Sequence, residues 1–99
     1  MEIERTEEID RLFRAILSLE SVDECYAFFE DVLTVKEISD VAQRLKAAEM
    51  LRAGKSYIEV CSTTGMSTAT ISRVNKCLMY GNGGYKLALS KLKSNEEEK

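Results

Sequence analysis

The sequence contains no histidine and no proline, and only three of its 99 residues are cysteine. Without histidine, catalysis by Ser–His or Cys–His pairs is excluded, and zinc loses one of its usual ligands. Cys25, Cys61 and Cys77 are odd in number, and no two of them have the CxxC spacing of a metal or redox site. Since no phosphate-binding loop is present either, we predict reduced thiols, no enzyme active site, no metal site and no cofactor.

The sequence also lacks a long apolar run, because no stretch of about 18 uninterrupted apolar residues occurs in it. The N-terminal segment MEIERTEEIDR is acidic and has no apolar core before Leu12. A signal peptide needs a basic start followed by an apolar segment, so neither a signal peptide nor a membrane anchor is indicated. We therefore expect a cytoplasmic protein without a membrane partner.

Hydrophobic residues make up 44% of the chain, and they recur at helical spacing along it. Together with the absence of proline, this spacing predicts an all-α fold, a bundle of about six helices. At 99 residues the chain is expected to form one domain, residues 1–99. A domain of this size buries a limited share of its apolar surface, so a partner subunit would stabilise it considerably.

The net charge of −3 conceals a strong asymmetry along the chain. Residues 1–40 carry 12 acidic and 4 basic residues, a net charge of −8, whereas residues 41–93 carry 2 acidic and 9 basic residues, a net charge of +7. Residues 94–99 contribute −2. Because phosphate attraction depends on the local field, which salt screens within about 10 Å, the basic segment is compatible with a nucleic-acid partner.

Residues 56–78 have the pattern of a helix-turn-helix. Ser56 and Glu59 form a capping box that starts a helix at Tyr57, and Gly65 supplies the positive φ that a sharp turn after this helix requires. Ser67 then caps a second helix. The apolar, small and glycine positions of a helix-turn-helix are occupied in order, which predicts two helices that cross closely; they are Val60, Cys61, Gly65, Ile71 and Val74.

Two amphipathic helices are predicted within residues 1–33, one over residues 5–19 and one that Ser21 and Glu24 cap. The second helix is apolar on more than one face, and in a short chain a second copy most easily covers the additional face. We therefore predict a homodimer whose interface includes Phe13, Leu17, Tyr26, Phe28, Phe29 and Val32. The alternative is that Phe28 and Phe29 fill the core of a monomer.

A long central helix is predicted over residues 34–54, between a capping box of Thr34 and Glu37 and the glycine Gly54. Its predicted buried side consists of Ile38, Val41, Ala42, Leu45, Ala48 and Leu51. After the helix-turn-helix, a glycine-rich loop over residues 79–84 leads to a C-terminal helix over residues 85–93. Residues 94–99 are charged and are expected to form a frayed tail.

The segment from Leu33 to Leu78 resembles the bacterial Trp repressor family, above all in Leu33-Thr34, in Arg44, in Gly65 and in the run from Ala69 to Arg73. Over nearly its whole length the chain is similar to the Trp repressor-related proteins of the YerC/YecD group. This resemblance implies an all-helical, interlocked homodimer in which the N-terminal helices of two chains wrap together. It also implies that the dimer presents two helix-turn-helix heads.

The resemblance further implies an effector pocket between the central helix and the second helix of the helix-turn-helix. The positions that contact tryptophan in the family correspond to Thr34, Arg44, Arg73 and Cys77. Two departures affect this pocket: Val74 replaces the family's glycine, and Cys77, a weak hydrogen-bond partner, replaces its serine. An added isopropyl group in a tight pocket costs about 1–3 kcal/mol. These departures argue against tryptophan as the corepressor and leave the effector unknown.

A DNA-binding mode follows if the second helix enters the major groove N-terminus first. Base edges would then be contacted by Thr68, Ala69, Thr70 and Arg73, since arginine pairs with guanine and threonine with several bases. Phosphate contacts would come from Ser56, Tyr57, Ser67, Ser72 and Lys76. Ile58 stands where the Trp repressor has a basic residue, which predicts one phosphate contact fewer.

The sequence thus predicts a homodimeric, sequence-specific regulator of transcription, acting as a repressor in the nucleoid. Its partner would be double-stranded DNA with a palindromic operator. The alternative is a protein-interaction module in which the helix-turn-helix serves only for packing, while Tyr26, Phe28 and Phe29 bind another protein.

Overall fold

The computed structural model of the protein describes residues 3–97, and within this range all regular secondary structure is helical. The helices are α1 (Glu7–Leu17), α2 (Val22–Val32), α3 (Val35–Arg52), α4 (Tyr57–Thr64), α5 (Thr68–Tyr80) and α6 (Gly84–Glu97). The prediction of an all-α fold is confirmed. Among the described helices, none is both long enough and apolar enough to cross a membrane.

These helices group into two compact units, Met1–Ile38 and Ser39–Lys99, and the boundary falls inside α3. The first unit contains α1, α2 and the first turn of α3, and the second contains the remainder of α3 with α4, α5 and α6. The organisation as one domain stays a prediction. The helix-turn-helix lies entirely within the second unit.

The predicted N-cap hydroxyls start α2 and α3 where the sequence indicated, although at α2 the Glu24 carboxylate accepts from the Glu20 N–H at 2.9 Å and not from Ser21. The backbone N–H of Glu24 donates to the hydroxyl oxygen of Ser21 at 3.0 Å. At the start of α3 the exchange is reciprocal: the Glu37 N–H donates to Thr34 Oγ1 at 3.1 Å, and the Thr34 N–H donates to Glu37 Oε1 at 2.9 Å. Both caps satisfy backbone donors that a helix N-terminus otherwise leaves without partners.

The ends of α1, α5 and α6 differ from the prediction. α1 spans Glu7–Leu17 rather than residues 5–19, because the Thr6 hydroxyl accepts from the Ile9 N–H at 3.1 Å and sets the start. α5 continues through Tyr80, so its last two residues are not part of the glycine-rich loop. α6 runs to Glu97, so the frayed tail is wrong for residues 94–97, where no glycine or proline stops the helix; residues 98 and 99 lie outside the described range.

The first unit leaves much of its apolar surface open in the single chain. Neither α1 nor α2 contains a buried residue. Leu17 is 82% exposed, and Phe13, Tyr26 and Val32 are exposed as well. The rings of Phe28 and Phe29 are half-buried and meet edge to face with centroids 5.2 Å apart. Apolar side chains exposed on two consecutive helices mark a surface that another molecule can cover.

The core of the second unit joins α3, α4, α5 and α6. Its buried side chains are Ala47, Ala48, Val60, Ile71, Val74 and Leu89, and Tyr85 and Met66 are among those packed against it. The small Ala47 and Ala48 let the other helices approach α3 closely. The predicted buried side of α3 is only partly correct, because Ala48 is buried whereas Val41, Ala42 and Leu45 are exposed. In the single chain the core covers the C-terminal half of this helix, which explains the difference.

Candidate nucleic-acid interface

The turn between α4 and α5 is fixed by Gly65 and by a threonine hydroxyl. Gly65 has φ 72° and ψ 7°, the left-handed conformation predicted for it, and its N–H donates to the Cys61 carbonyl at 2.8 Å. The Thr64 hydroxyl donates to the Val60 carbonyl at 2.7 Å and accepts from the Met66 N–H at 3.2 Å. Thr64 therefore links the last turn of α4 to the residue that follows Gly65. This role of Thr64 was not predicted from the sequence. The signal for it is a threonine directly before the glycine of the turn, because its hydroxyl can bond to the nearby backbone.

The start of α5 is capped as predicted. The Thr70 N–H donates to the Ser67 hydroxyl oxygen at 3.2 Å, and the hydroxyls of Ser67 and Thr70 lie 3.0 Å apart in a second hydrogen bond. The pair restricts both side chains. Because Thr70 is engaged in this way and half-buried, its hydroxyl is less accessible to a base edge than the prediction assumed.

One face of α5 is buried and the opposite face is open. Ile71, Val74 and Leu78 recur at helical spacing and are buried in the second unit. Four predicted DNA contacts on the open face are exposed together: Ala69, Ser72, Arg73 and Lys76. Thr68, at the first position of the helix, is exposed too. The structure thus presents these predicted base and phosphate residues on one side of α5, whereas Thr70 is half-buried and lines the same cavity as Arg73.

The start of α4 presents the remaining predicted phosphate contacts. The Glu59 N–H donates to the Ser56 hydroxyl oxygen at 3.2 Å, as the third predicted capping box requires. Ser56 and Tyr57 are exposed, and Ile58 is 81% exposed. The Lys55 ammonium lies 3.9 Å from the Glu59 carboxylate, an exposed ion pair that contributes little to stability.

A small cavity lies beside α5, where the resemblance places an effector. Its volume is about 50 Å³, and its lining consists of Arg44, Thr70, Arg73, Val74, Cys77 and Tyr85. The structure therefore brings together four of the five predicted pocket residues. The fifth, Thr34, belongs to the first unit, where its side chain caps α3.

Tyr85 is a cavity residue that sequence reasoning missed. The sequence placed it only at the start of the C-terminal helix, and in the structure it packs against the core of the second unit. Burial raises the pKa of the Tyr85 hydroxyl above its usual 10.0, and the nearby Cys77 thiol raises it further, while the Arg44 guanidinium acts in the opposite direction. Cys77 and Arg44 therefore lie close enough to Tyr85 to influence the ionisation of its hydroxyl.

No group of three or more residues within 3–97 has the arrangement of a metal site, and the three cysteines are free thiols. The site is therefore a capped helix with an exposed polar face beside a small cavity. Such an arrangement can present hydrogen-bond donors and positive charge to a groove and backbone of DNA.

A helix-turn-helix packed against a long central helix and followed by a last helix defines the Trp repressor-like class of all-α bundles. The sequence model of the Trp repressor protein family matches residues 7–93, and the chain belongs to this family. The Trp repressor-like fold is that of DNA-binding regulators rather than of enzymes.

Individual relatives agree with this assignment. The chain is 52% identical over 94 residues to the Bacillus subtilis (strain 168) protein YerC, described as uncharacterized, with 95% of this chain and 90% of YerC covered. The crystal structure of a TrpR-like protein from Eubacterium eligens matches with a TM-score of 0.87 and 49% identity, over 90% of this chain and 92% of that chain. A Staphylococcus aureus protein described as a candidate Trp repressor matches with a TM-score of 0.87 and 45% identity, over 90% and 89% of the two chains.

Proposed function

We propose that this protein is a homodimeric transcriptional regulator that binds DNA sequence-specifically through α5 and acts as a repressor. The observation that carries the proposal is the division of α5 into a buried apolar face and an exposed face with Ser72, Arg73 and Lys76. A helix that is anchored on one side and polar on the other can enter the major groove without unfolding. Membership of the Trp repressor family supports the same function.

Within this proposal, Thr68, Ala69 and Arg73 contact base edges, and Ser72 and Lys76 contact the flanking phosphates. Arg73 carries most of the discrimination, because a bidentate arginine–guanine pair contributes about 1–3 kcal/mol. Thr70 contributes mainly by holding the start of the helix through Ser67. The capped start of α4, with Ser56 and Tyr57, supplies further phosphate contacts.

Arg73→Ala tests the groove assignment. Palindromic duplexes with half-sites about 34 Å apart are selected from a randomised library, and binding is followed by fluorescence anisotropy. The variant is expected to lose about tenfold or more in its preference for the selected duplex over a scrambled one. Arg52→Ala removes the same charge from α3, at an exposed position, and serves as the matched control. Equal preference in Arg73→Ala and the wild type would show that α5 does not read bases.

The homodimer is supported by the apolar surface of α1 and α2, which contain no buried residue in the single chain. Charge introduced into that surface should prevent association, because an interface cannot bury an unpaired charge without a large cost. Leu17 and Ile58 offer a matched pair, since they are 82% and 81% exposed in the single chain. Only Leu17 belongs to the proposed interface.

We expect Leu17→Glu to abolish the dimer, or to abolish the dimer and the helical signal together, whereas Ile58→Glu remains dimeric. Sedimentation measures whether the protein is a dimer, and circular dichroism measures the helical signal. Simultaneous loss is consistent with the proposal because obligate dimers often have no stable folded monomer. A wild-type monomer, or a dimer equally stable in both variants, would contradict the proposed interface and favour a protein-interaction module with a different partner.

Tryptophan is not the corepressor in this proposal. The cavity of about 50 Å³ is far below the roughly 300 Å³ of the smallest drug-sized pockets. Val74 contributes to its wall and is itself almost completely buried, so it has little freedom to move aside. Calorimetric titration with L-tryptophan should give no saturable heat and no change in affinity for DNA. Saturable binding that strengthens the DNA complex would refute this part of the proposal.

A further inference from the structure

Tyr85 differs from the other tyrosines of the chain. Tyr26, Tyr57 and Tyr80 are exposed, whereas Tyr85 is half-buried and packs against the core of the second unit. A tyrosine ring that is partly withdrawn from water contributes a large, rigid contact surface. Its burial therefore implies a packing role that the other three tyrosines do not have.

The surroundings of Tyr85 connect three helices. Tyr85 is in the first turn of α6, and it lines the same cavity as Arg44 of α3 and Arg73 of α5. The pKa shift of its hydroxyl, caused by burial, Cys77 and Arg44, agrees with this close placement. The ring thus occupies space between the central helix and the side of α5 next to its DNA-binding face.

The contacts of α5 fall on two neighbouring sides of the helix. Ile71, Val74 and Leu78 anchor one side, while Thr70, Arg73 and Cys77 border the cavity on the next. A contact on the cavity side, displaced around the helix from the buried face, opposes rotation of α5 toward the cavity. Tyr85 is the aromatic side chain in position to provide it.

We propose that Tyr85 is a positioning residue: its ring wedges between Arg44 of α3 and the cavity side of α5 and holds α5 in the orientation that binds DNA. The wedge makes DNA binding independent of a small-molecule ligand, because a side chain of the protein itself supports α5 at the edge of the cavity. This inference rests on the proposed function, since it concerns the helix to which we assign DNA contacts.

The test compares three substitutions in the full-length protein. Tyr85→Phe keeps the ring and should bind the selected duplex like the wild type. Tyr85→Ala removes the ring, and we expect affinity for DNA to fall about tenfold if roughly one molecule in ten then has α5 in the competent orientation. Leu87→Ala is the control, because Leu87 lies on the same helix but is 60% exposed. This control should leave affinity unchanged.

Chemical rescue separates positioning from a general loss of stability. p-Cresol has the shape of the missing side chain, and engineered cavities of the corresponding size bind small aromatic molecules. Millimolar p-cresol should bind Tyr85→Ala in calorimetry, should not bind the wild type, and should restore the variant's affinity for DNA. If Tyr85→Ala does not fold, the affinity for DNA is measured with Tyr85→Leu instead, without the rescue, because leucine fills part of the space that p-cresol would occupy.

The inference is overturned if Tyr85→Ala, or Tyr85→Leu in its place, binds DNA as tightly as the wild type. It is also overturned if p-cresol binds Tyr85→Ala without restoring its affinity for DNA, or if p-cresol does not bind Tyr85→Ala. A wild-type protein that binds no duplex overturns the proposed function and this inference together. If the wild type binds DNA, Tyr85→Ala loses affinity for DNA and p-cresol does not restore it, the inference alone is overturned and the proposed function stands.

Discussion

Gly65→Ala is a direct test of how the helix-turn-helix is built. Gly65 has φ 72°, and a Cβ added there would meet nothing within 4 Å. The penalty is therefore backbone strain alone, which for an L-residue in the left-handed region is about 1–2 kcal/mol. Alanine also restricts the unfolded chain, which returns about 0.4–1 kcal/mol. The net expected loss is about 1 kcal/mol, or a melting temperature lower by about 4 °C.

Gly84→Ala is the matched control for this substitution. Gly84 is the first residue of α6, a Cβ there also meets nothing within 4 Å, and its φ is not in the left-handed region. The same chemical change should therefore stabilise the protein by about 0.5 kcal/mol, because alanine loses less conformational freedom on folding. Gly65→Asn should lie between Gly65→Ala and the wild type, since asparagine adopts the left-handed conformation more readily.

Thermal unfolding is followed by circular dichroism at one protein concentration, because the proposed dimerisation would make the melting temperature depend on concentration. The reasoning would be refuted if Gly65→Ala melted at or above the wild-type temperature. It would also fail if Gly65→Ala and Gly84→Ala changed the melting temperature by the same amount in the same direction.

Three further predictions follow from the second unit. Ile71→Ala should cost about 2–5 kcal/mol and Ile71→Val about 0.5–1.5 kcal/mol in urea unfolding, because the Ile71 side chain is fully buried; similar values for both would contradict the packing. Ser67→Ala should cost about 1 kcal/mol in the same assay, because the Thr70 N–H loses its acceptor; no change would mean that water replaces the cap. In an absorbance titration of the wild type, Tyr85 should ionise above pH 10, and this ionisation should be absent from Tyr85→Phe. Because the unfolded state ionises first, Tyr85 should also make stability fall as pH rises above 10, and identical curves for wild type and Tyr85→Phe would refute the assignment.

The local features of this fold were accessible from the sequence because each depends on residues close together in the chain. A hydroxyl three residues before a glutamate gave the starts of α2 and α3, and Gly65 gave the turn of the helix-turn-helix. The same local reasoning placed the end of α6 too early. A polar composition was interpreted as a tail over residues 94–97, although no residue there stops a helix.

Features that depend on contacts between distant segments were not accessible in the same way. Periodicity indicated that Val41 and Leu45 lie on an apolar face of α3, but it does not say which surface covers that face. The cavity beside α5 joins residues of three helices, and no spacing in the sequence indicated that Tyr85 lies beside Arg44. Thr70 is half-buried beside the same cavity, and its burial likewise depends on contacts between distant segments.

The central claim is that the exposed face of α5 reads a DNA sequence. The most direct measurement is the affinity of the wild-type protein for a library-selected palindromic duplex and for a scrambled duplex, over a range of salt concentrations. We expect the protein to bind the selected duplex about 10³ times more tightly than the scrambled one, or better, at physiological salt. The logarithm of each affinity should fall linearly with the logarithm of the salt concentration. Equal affinity for the two duplexes at every salt concentration, or no binding to either, would contradict it.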